Sequence, residues 1–550
     1  MGGKSQMKEK FKTLINNKNL IIILIITLII SIGTTGTYAW FTWSNPNNTT
    51  LSMTIGNIDV MFDTGNNINI TTVTPVLYPE EGSKAIFSLK KKNASLSSIA
   101  YTITLDITTI SNELKSTDFK WALMTKDTTS VISEGNFSTA SNGSSITIYT
   151  GILIDTSTIS YDLYIYINGN SENSSNMMNK TLTGTINITG HEEENPALAE
   201  IITNLYNNAN KTVVNAPSHD SEGNITTINY NYANIYDTDT TSGGLMNDRL
   251  GGTTENYNSG NVRYYGASPN NYVYFNCSDY SNQSPTTCEL WRIIGVFNGK
   301  VKIMRNKSIG KYSWDNKDTT TGAETDNGKN DWTTARLMKL LNSNNYYTID
   351  SNDNGYGQSL YYNAQSGTCF GGRYNATISC DFTSTGLKND TTRNMISEEI
   401  YHLRGHDFTA IYANEIYNYE RTTGSVYTGR QTSWSGKIAI PYASDYGYAT
   451  DLSLCSQTLK DYDKNSNCID NNWMKEMLEE MSSNDGFWLL NSHNNNTSGV
   501  TVIYSDSKIY NQITFSTRDL FPVLYLNTNT KISNVSNTSG SLDNPYKLSV

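Results

Sequence analysis

The sequence predicts a multidomain, β-rich protein: an N-terminal antiparallel β-sandwich, a short helix with a loop-rich connector, and a C-terminal α+β domain. Three observations predict this. Charged residues make up only 17% of the chain while Tyr alone numbers 37, and Asn, Thr and Ser are abundant, a profile of strands joined by polar turns. Residues 50–190 carry short alternating segments at the spacing of an all-β domain. The six cysteines all follow residue 276 and fall into three close couples. A chain of 550 residues exceeds what a single core organises, so several domains are expected. The net charge of −11 argues against a nucleic-acid partner, because phosphate binding needs a surplus of Lys and Arg.

The first element is residues 1–39. Lys4, Lys8, Lys10, Lys12 and Lys18 precede an apolar run from Leu20 to Gly33, followed by Gly36-Thr37-Tyr38-Ala39. A basic flank, an apolar core and small residues make an export signal, with cleavage expected between Ala39 and Trp40. The core is about 14 residues, short of the ~20 that a spanning helix needs. The alternative is an uncleaved anchor, and a membrane is expected as a partner only through this segment. The remaining chain is expected outside the cell, secreted or associated with the cell surface.

Residues 40–190 form the second element. Strands are expected at Thr50–Ile55, Ile58–Phe62, Lys84–Leu89, Ile99–Ile107, Ser145–Tyr149, Tyr161–Ile167 and Leu182–Ile188, with clear alternation of apolar and polar residues in the first and fourth. About seven or eight such strands without a helix read as a β-sandwich. His191, at the end, is the sole histidine of this stretch, so no Ser/His/Asp or Cys/His set is available and no active site is expected.

Residues Gly36-Thr37-Tyr38-Ala39-Trp40-Phe41, Thr50-Leu51-Ser52-Met53-Thr54-Ile55-Gly56-Asn57-Ile58-Asp59-Val60, Leu77-Tyr78-Pro79-Glu80-Glu81-Gly82 and Lys92-Asn93-Ala94-Ser95-Leu96 follow one another in this order. Over residues 30–110 this pattern resembles the TasA/camelysin family of bacterial biofilm-matrix proteins. It departs from that family at Glu80-Glu81-Gly82 and at Ile58-Asp59-Val60. The resemblance implies a secreted jelly-roll-like sandwich cut after Ala39. It also implies self-association through the mature N-terminus, with Trp40 to Thr50 added as a strand to another subunit. Pairing of that segment within its own sandwich is the alternative.

The third element is the connector, residues 191–260. Asn195 and Pro196 suit the start of a helix carrying Leu198, Ile201, Ile202 and Leu205 on one face and ending near Asn207-Asn208. Glu192–Glu194 read as a solvated helix start rather than a cation site. From Pro217 to Gly260 the composition is polar and rich in Asn, Thr and Gly, and a loop-rich lead-in is expected.

The fourth element is residues 261–550. Tyr272–Phe275, Leu290–Phe297 and Lys300–Met304 are strands, the last two joined by the hairpin signal Asn298-Gly299. Helices are expected over Trp332–Leu341 and Trp473–Met481, and strands again at Val500–Tyr504 and Phe521–Leu526. This order gives an α+β domain. Fifteen cysteine pairings are open in principle; pairing within each couple, Cys277/Cys288, Cys369/Cys380 and Cys455/Cys468, is expected, since disulfides persist outside the cell. The couples lack the short spacing of a zinc ribbon.

The segments Leu290-Trp291-Arg292-Ile293-Ile294-Gly295, Asn330-Asp331-Trp332 through Leu341-Asn342, Trp434-Ser435-Gly436-Lys437-Ile438, Ser444-Asp445-Tyr446-Gly447-Tyr448-Ala449, Phe487–Ser492 and Phe521–Leu526 together resemble an uncharacterised family of bacterial extracellular domains. Leu490-Asn491 stands where that family has Leu-Arg, and Phe521 where it has Arg. The layout resembles the C-type-lectin-like or sulfatase-modifying-factor-like superfold, which speaks to fold alone. Asp445, Tyr446, Tyr448, Trp488 and Asn491 are the candidate binding residues, with the tyrosines beside Asp445 suited to stack on sugar rings or contact a protein surface. The plain alternative is that they fill the core.

Other chemistry is sparse. His402 and His406, with Asp407, form the one local histidine pair of the domain, without the Glu of a zinc-protease helix and with Gly405 opposing a helix. Asp350-Ser351-Asn352-Asp353-Asn354-Gly355 opens like an EF-hand loop, but its twelfth position is Tyr361, so at most a looser Ca²⁺ site is expected there and at Asp315, Asn316 and Asp318. No other cofactor is expected, and no catalytic residue is assigned. The expected function is a non-catalytic adhesin or matrix protein whose partners are a glycan or protein ligand and copies of itself. The alternative is an extracellular carbohydrate-active or metal-dependent hydrolase with its site in the C-terminal domain.

Overall fold

The computed structural model describes residues 51–549 apart from 56–57, 64, 72–74, 93–97, 128–130, 154–155, 194–195, 236–242, 249–259, 317–325, 350–355, 374–376, 406–409, 480, 483–484 and 534–538. The export signal, the Ala39–Trp40 junction, the segment from Trp40 to Thr50, the loop from Asp350 to Gly355, and Asp318, His406 and Asp407 lie outside the described residues. The chain divides into two compact units, Met1–Lys126 with Glu134–Glu193, and Asp127–Ser133 with Glu194–Val550. Both are rich in β-strands and poor in helix.

The first unit runs through β1 (Leu51–Ile55), β2 (Ile58–Phe62), β3 (Asn67–Ile70), β4 (Pro75–Val76), β5 (Ser83–Lys91), β6 (Ser98–Ile110), β7 (Phe119–Thr125), β8 (Val131–Asn136), β9 (Ser145–Leu153), β10 (Thr158–Asn168) and β11 (Leu182–Glu193). One sheet has the order β1-β2-β5-β10-β7-β8, with β4 beside β10, and the other β3-β11-β6-β9. Period-two alternation sets which face is buried. Along β6, Tyr101, Ile103, Leu105 and Ile107 are buried, while Thr102 and Thr104 between them are partly exposed. Tyr101 of one sheet meets Tyr161 of the other, and Tyr149 packs 6.1 Å from Tyr161, so an aromatic layer lies between the sheets.

In the second unit, the segment expected to be loop-rich from Pro217 to Gly260 contains strands. The helix Leu198–Asn208 leads into β12 (Lys211–His219), β13 (Ile225–Ala233) and β14 (Gly244–Asn247). β12 and β13 form a nine-pair hairpin from Lys211↔Ala233 to His219↔Ile225. Their polar composition is explained by one-sided burial: Ala216, Tyr230, Tyr232 and Met246 pack with Tyr417 and Tyr448, while Val213 and Ile225 stay exposed. Next come β15 (Val262–Tyr265), β16 (Tyr272–Phe275), β17 (Glu289–Phe297), β18 (Lys300–Arg305) and β19 (Lys311–Ser313). Asn298 and Gly299 both take positive φ, 50° and 75°, which matches the twist of a two-residue hairpin between β17 and β18.

The chain continues through β20 (Ser366–Phe370), β21 (Thr377–Asp381), β22 (Glu399–His402), β23 (Ser433–Gly436) and β24 (Ile438–Ala439). It ends with β25 (Gly486–Ser492), β26 (Gly499–Tyr504), β27 (Ile509–Ile513), β28 (Thr517–Asp519), β29 (Val523–Tyr525), β30 (Lys531–Ile532) and β31 (Leu548–Ser549). The largest sheet has the order β12-β13-β14-β15-β17-β18-β29-β24, with β16 beside β17; a second has β19-β28-β25-β26-β27. The two expected helices are shorter than the apolar pattern. The first is Arg336–Leu341, and Trp473–Lys475 forms a 3₁₀ turn before the helix Glu476–Glu479. Each cysteine couple is a disulfide: Cys277–Cys288, Cys369–Cys380 and Cys455–Cys468. Such bonds point to an oxidising, extracellular setting.

Candidate functional site

Two features of the second unit gather chemistry: a buried cluster of charges and a surface cleft. The cluster is built where β15, β18 and the helices Ala413–Asn418 and Ala443–Ala449 converge. The two helices approach closely at Gly447, where an added Cβ would lie 2.9 Å from the Ala413 side chain. Asp445 lies buried on the second of these helices. Its Oδ2 accepts from the Lys302 ammonium at 2.5 Å and from the Tyr442 N–H at 3.0 Å, and its Oδ1 accepts from Arg263 Nη1 at 3.4 Å. Arg263 Nε donates to Asp248 at 2.6 Å. Alongside, Arg421 donates to Glu420, which also accepts from Ser444 and from the Asn491 amide.

Lys302, Arg263, Asp248, Glu420 and Asp445 are all buried. Aromatic rings close the space: Arg263 lies 4.7 Å from the Tyr448 ring centroid, Lys302 4.7 Å from that of Tyr442, and Arg421 3.6 Å from that of Tyr417. Burial pulls the Lys302 ammonium down to about 8 against the opposing pull of Asp445. Burial pushes the Asp445 carboxyl up, but Lys302 and Arg263 outweigh it and keep the group below the ordinary carboxylate range. The resting pair is therefore ionic.

This arrangement places the candidate binding residues in the core. Asp445, Tyr446, Tyr448 and Asn491 are each 1% exposed and Trp488 is fully buried. Tyr446 donates to the Ser507 carbonyl, Trp488 Nε1 to the Tyr312 carbonyl, and Tyr448 shares a hydrogen bond with Tyr230. None of the five presents a face to an outside ligand: Asp445, Tyr446 and Tyr448 lie on a helix buried along its whole length, and Trp488 and Asn491 lie on the fully buried strand β25. The five do not form one site. Asp445 and Asn491 join the charge cluster, while Tyr446 and Trp488 serve separate backbone contacts.

The other candidates are placed as follows. His402 ends the strand β22; burial, then Arg421 and Arg404, lowers its pKa. Asp315 and Asn316 are fully buried, and the Asp315 oxygens accept from the backbone N–H groups of Lys329 and Arg336. Among the described residues no group of three or more His, Cys, Asp or Glu side chains is placed to hold a metal ion.

The cleft, about 290 Å³, is lined by Lys307, Lys311, Glu476, Met477, Asp519 and Phe521 among others. Phe521, a departure from the motif and the start of an expected strand, thus lines the cleft. Behind the cleft wall, Arg292 is fully buried between Tyr272 and Trp473, and its Nη1 donates to Glu476 at 2.7 Å. Lys311 pairs with Asp485 and lies 3.8 Å from Asp519. Burial raises the Asp519 carboxyl, with Lys311 opposing. The cleft thus combines two lysines and two carboxylates with an apolar wall.

No protein-family model, no curated protein and no solved structure matches this chain.

Proposed function

We propose that the chain is a secreted or cell-surface matrix or adhesion protein that assembles with copies of itself through the edge of its first unit. The observation that carries this reading is the position of β1 at the end of its sheet. Among the described residues, β1 pairs with β2 alone. Among the described residues no strand lies on its outer edge, where backbone N–H and C=O groups can take an added strand. The segment from Trp40 to Thr50 runs directly into β1, and cleavage after Ala39 frees that segment to extend a neighbouring subunit's sheet. The jelly-roll-like reading of the first unit and the C-type-lectin-like reading of the second belong to this proposal and rest on the sequence resemblances. The disulfides support an extracellular setting, and the cleft of the second unit is where a glycan or protein ligand is expected.

The test is electron microscopy and light scattering on the mature chain beginning at Trp40, beside a variant lacking Trp40–Asn48. Fibres or oligomers in the first and monomers in the second are expected. Equal assembly of both overturns the edge mechanism, and a monomer that binds no glycan, matrix or cell surface overturns the function.

One observation favours a second reading, an extracellular carbohydrate-active hydrolase. Asp519, with its carboxyl raised by burial, shares the cleft with a second carboxyl-bearing residue, Glu476, and glycoside hydrolysis uses a pair of carboxyl groups. Release of reducing sugar from polysaccharides by the wild-type chain, abolished by Asp519→Asn, supports it; no release by the wild type discards it.

A further inference from the structure

The buried pair of Lys302 and Asp445 has the makings of a covalent link. Their side chains are both 0% exposed, with Nζ and Oδ2 2.5 Å apart. The residues lie 143 positions apart in sequence, one on β18 and one on the helix Ala443–Ala449. The rings of Tyr442, Phe297 and Tyr525 stand 4.7, 5.4 and 5.5 Å from Nζ, leaving an aromatic cage around the amine. Such a cage excludes the water that would solvate a charged pair and hydrolyse a reacting one.

We propose that Lys302 and Asp445 condense into an intramolecular isopeptide bond that ties β18 to this helix. The hydrogen bond between them carries the first proton from Nζ to Oδ2, converting ammonium and carboxylate into amine and acid. This transfer removes two charges from a site where burial already draws the lysine toward its neutral form. The Nζ lone pair then attacks Cγ, forming the N–C bond. Negative charge gathers on Oδ1, against the Arg263 Nη1 donor at 3.4 Å, which acts as the oxyanion-stabilising group. A second proton leaves nitrogen for Oδ2, the Cγ–Oδ2 bond breaks, and one water departs. The products are a secondary amide and water, with no oxidation or reduction.

The surrounding charges fit both sides of this step. Before it, the cations Lys302, Arg263 and Arg421 face the anions Asp445, Asp248 and Glu420. After it, Arg263 remains paired with Asp248 and Arg421 with Glu420, so the core stays balanced. A cluster that loses one charge of each sign leaves no ion unpaired, which is the costly outcome in a buried site.

The test is mass spectrometry of tryptic peptides from the folded, exported chain after reduction and alkylation. Acylated Lys302 resists trypsin. The expected product is a branched species joining Val301–Arg305 to the peptide Ile438–Lys460, lighter by one water than the two peptides together. Lys302→Arg and Asp445→Ala are expected to yield the Asp445-position peptide unbranched. Because the wild-type digest gives the decisive reading, failure of a variant to fold does not blunt the test. Recovery of Val301-Lys302 and Ile438–Lys460 from the wild type as linear peptides of full mass overturns the proposal and leaves a buried ion pair. Neither result bears on assembly through β1.

Discussion

Tyr101 and Tyr161, from opposite sheets of the first unit, place their hydroxyl oxygens 2.5 Å apart in a buried layer. The pair acts as a polar staple in an apolar interface, and its worth is asymmetric. Tyr161→Phe leaves the Tyr101 hydroxyl without this partner and is expected to cost about 1–3 kcal/mol. The double variant Tyr101→Phe, Tyr161→Phe removes both hydroxyls and is expected to recover most of that loss. Urea denaturation of the two variants checks this; a double variant less stable than either single one contradicts it.

The three disulfides close short loops in the second unit, with separations of 11, 11 and 13 residues. Loop-closure entropy assigns each about 3 kcal/mol. A reducing agent is expected to lower the thermal transition of the second unit and leave that of the first unchanged, since the first holds no cysteine. Calorimetry with and without reductant reads this, and a shift in both transitions contradicts it.

Much of the architecture was legible because it is local. Asn298-Gly299 specifies its hairpin, the alternation of β6 specifies its buried face, and the close cysteine couples pair within themselves. What was not legible depends on distant residues. The Asn- and Thr-rich β12 and β13 reveal their burial only through Tyr417 and Tyr448, which arrive two hundred residues later. The motif Asp445-Tyr446-Gly447-Tyr448 has the composition of a binding loop, and a single sequence cannot show that Gly447 admits Ala413 and buries the whole turn. The pairing of Lys302 with Asp445 is equally non-local. Lys302 stands at an ordinary strand position beside Lys300, which instead reaches Glu399. The cleft assembles from segments near residues 307, 476 and 520, and no local pattern in any one of them points to a cleft.

Asp315 gives a pH prediction. Burial raises its carboxyl to about 7, with N–H donation from Lys329 and Arg336 opposing. The folded form therefore binds a proton more tightly than the unfolded chain. The resulting stabilisation is complete below about pH 4 and is lost as pH rises toward about 7, a change on the order of 4 kcal/mol at most. Stability measured by urea denaturation across that window is expected to fall with this slope in the wild type and to flatten in Asp315→Asn. An identical slope in both contradicts the assignment.

Arg292 and Glu476 give the last prediction, because they connect the core to the cleft. The guanidinium is fully buried, whereas the Glu476 side chain is 46% exposed. Solvent therefore weakens the ion pair, and the carboxylate acts mainly as one hydrogen-bond acceptor of a buried cation. Glu476→Ala removes that acceptor and leaves Arg292 only Asn271 and the Tyr272 hydroxyl, with Tyr272 and Trp473 stacked on it. A loss of about 1–3 kcal/mol is expected, measured by urea denaturation. Glu476→Gln keeps a neutral acceptor and is expected to lose less. The ordering separates the two accounts of this contact: if charge dominates, Gln and Ala cost the same and added salt narrows their gap to the wild type. If hydrogen bonding dominates, Gln stays close to the wild type and salt changes little. The half-exposed position of Glu476 beside a fully buried partner favours the second outcome.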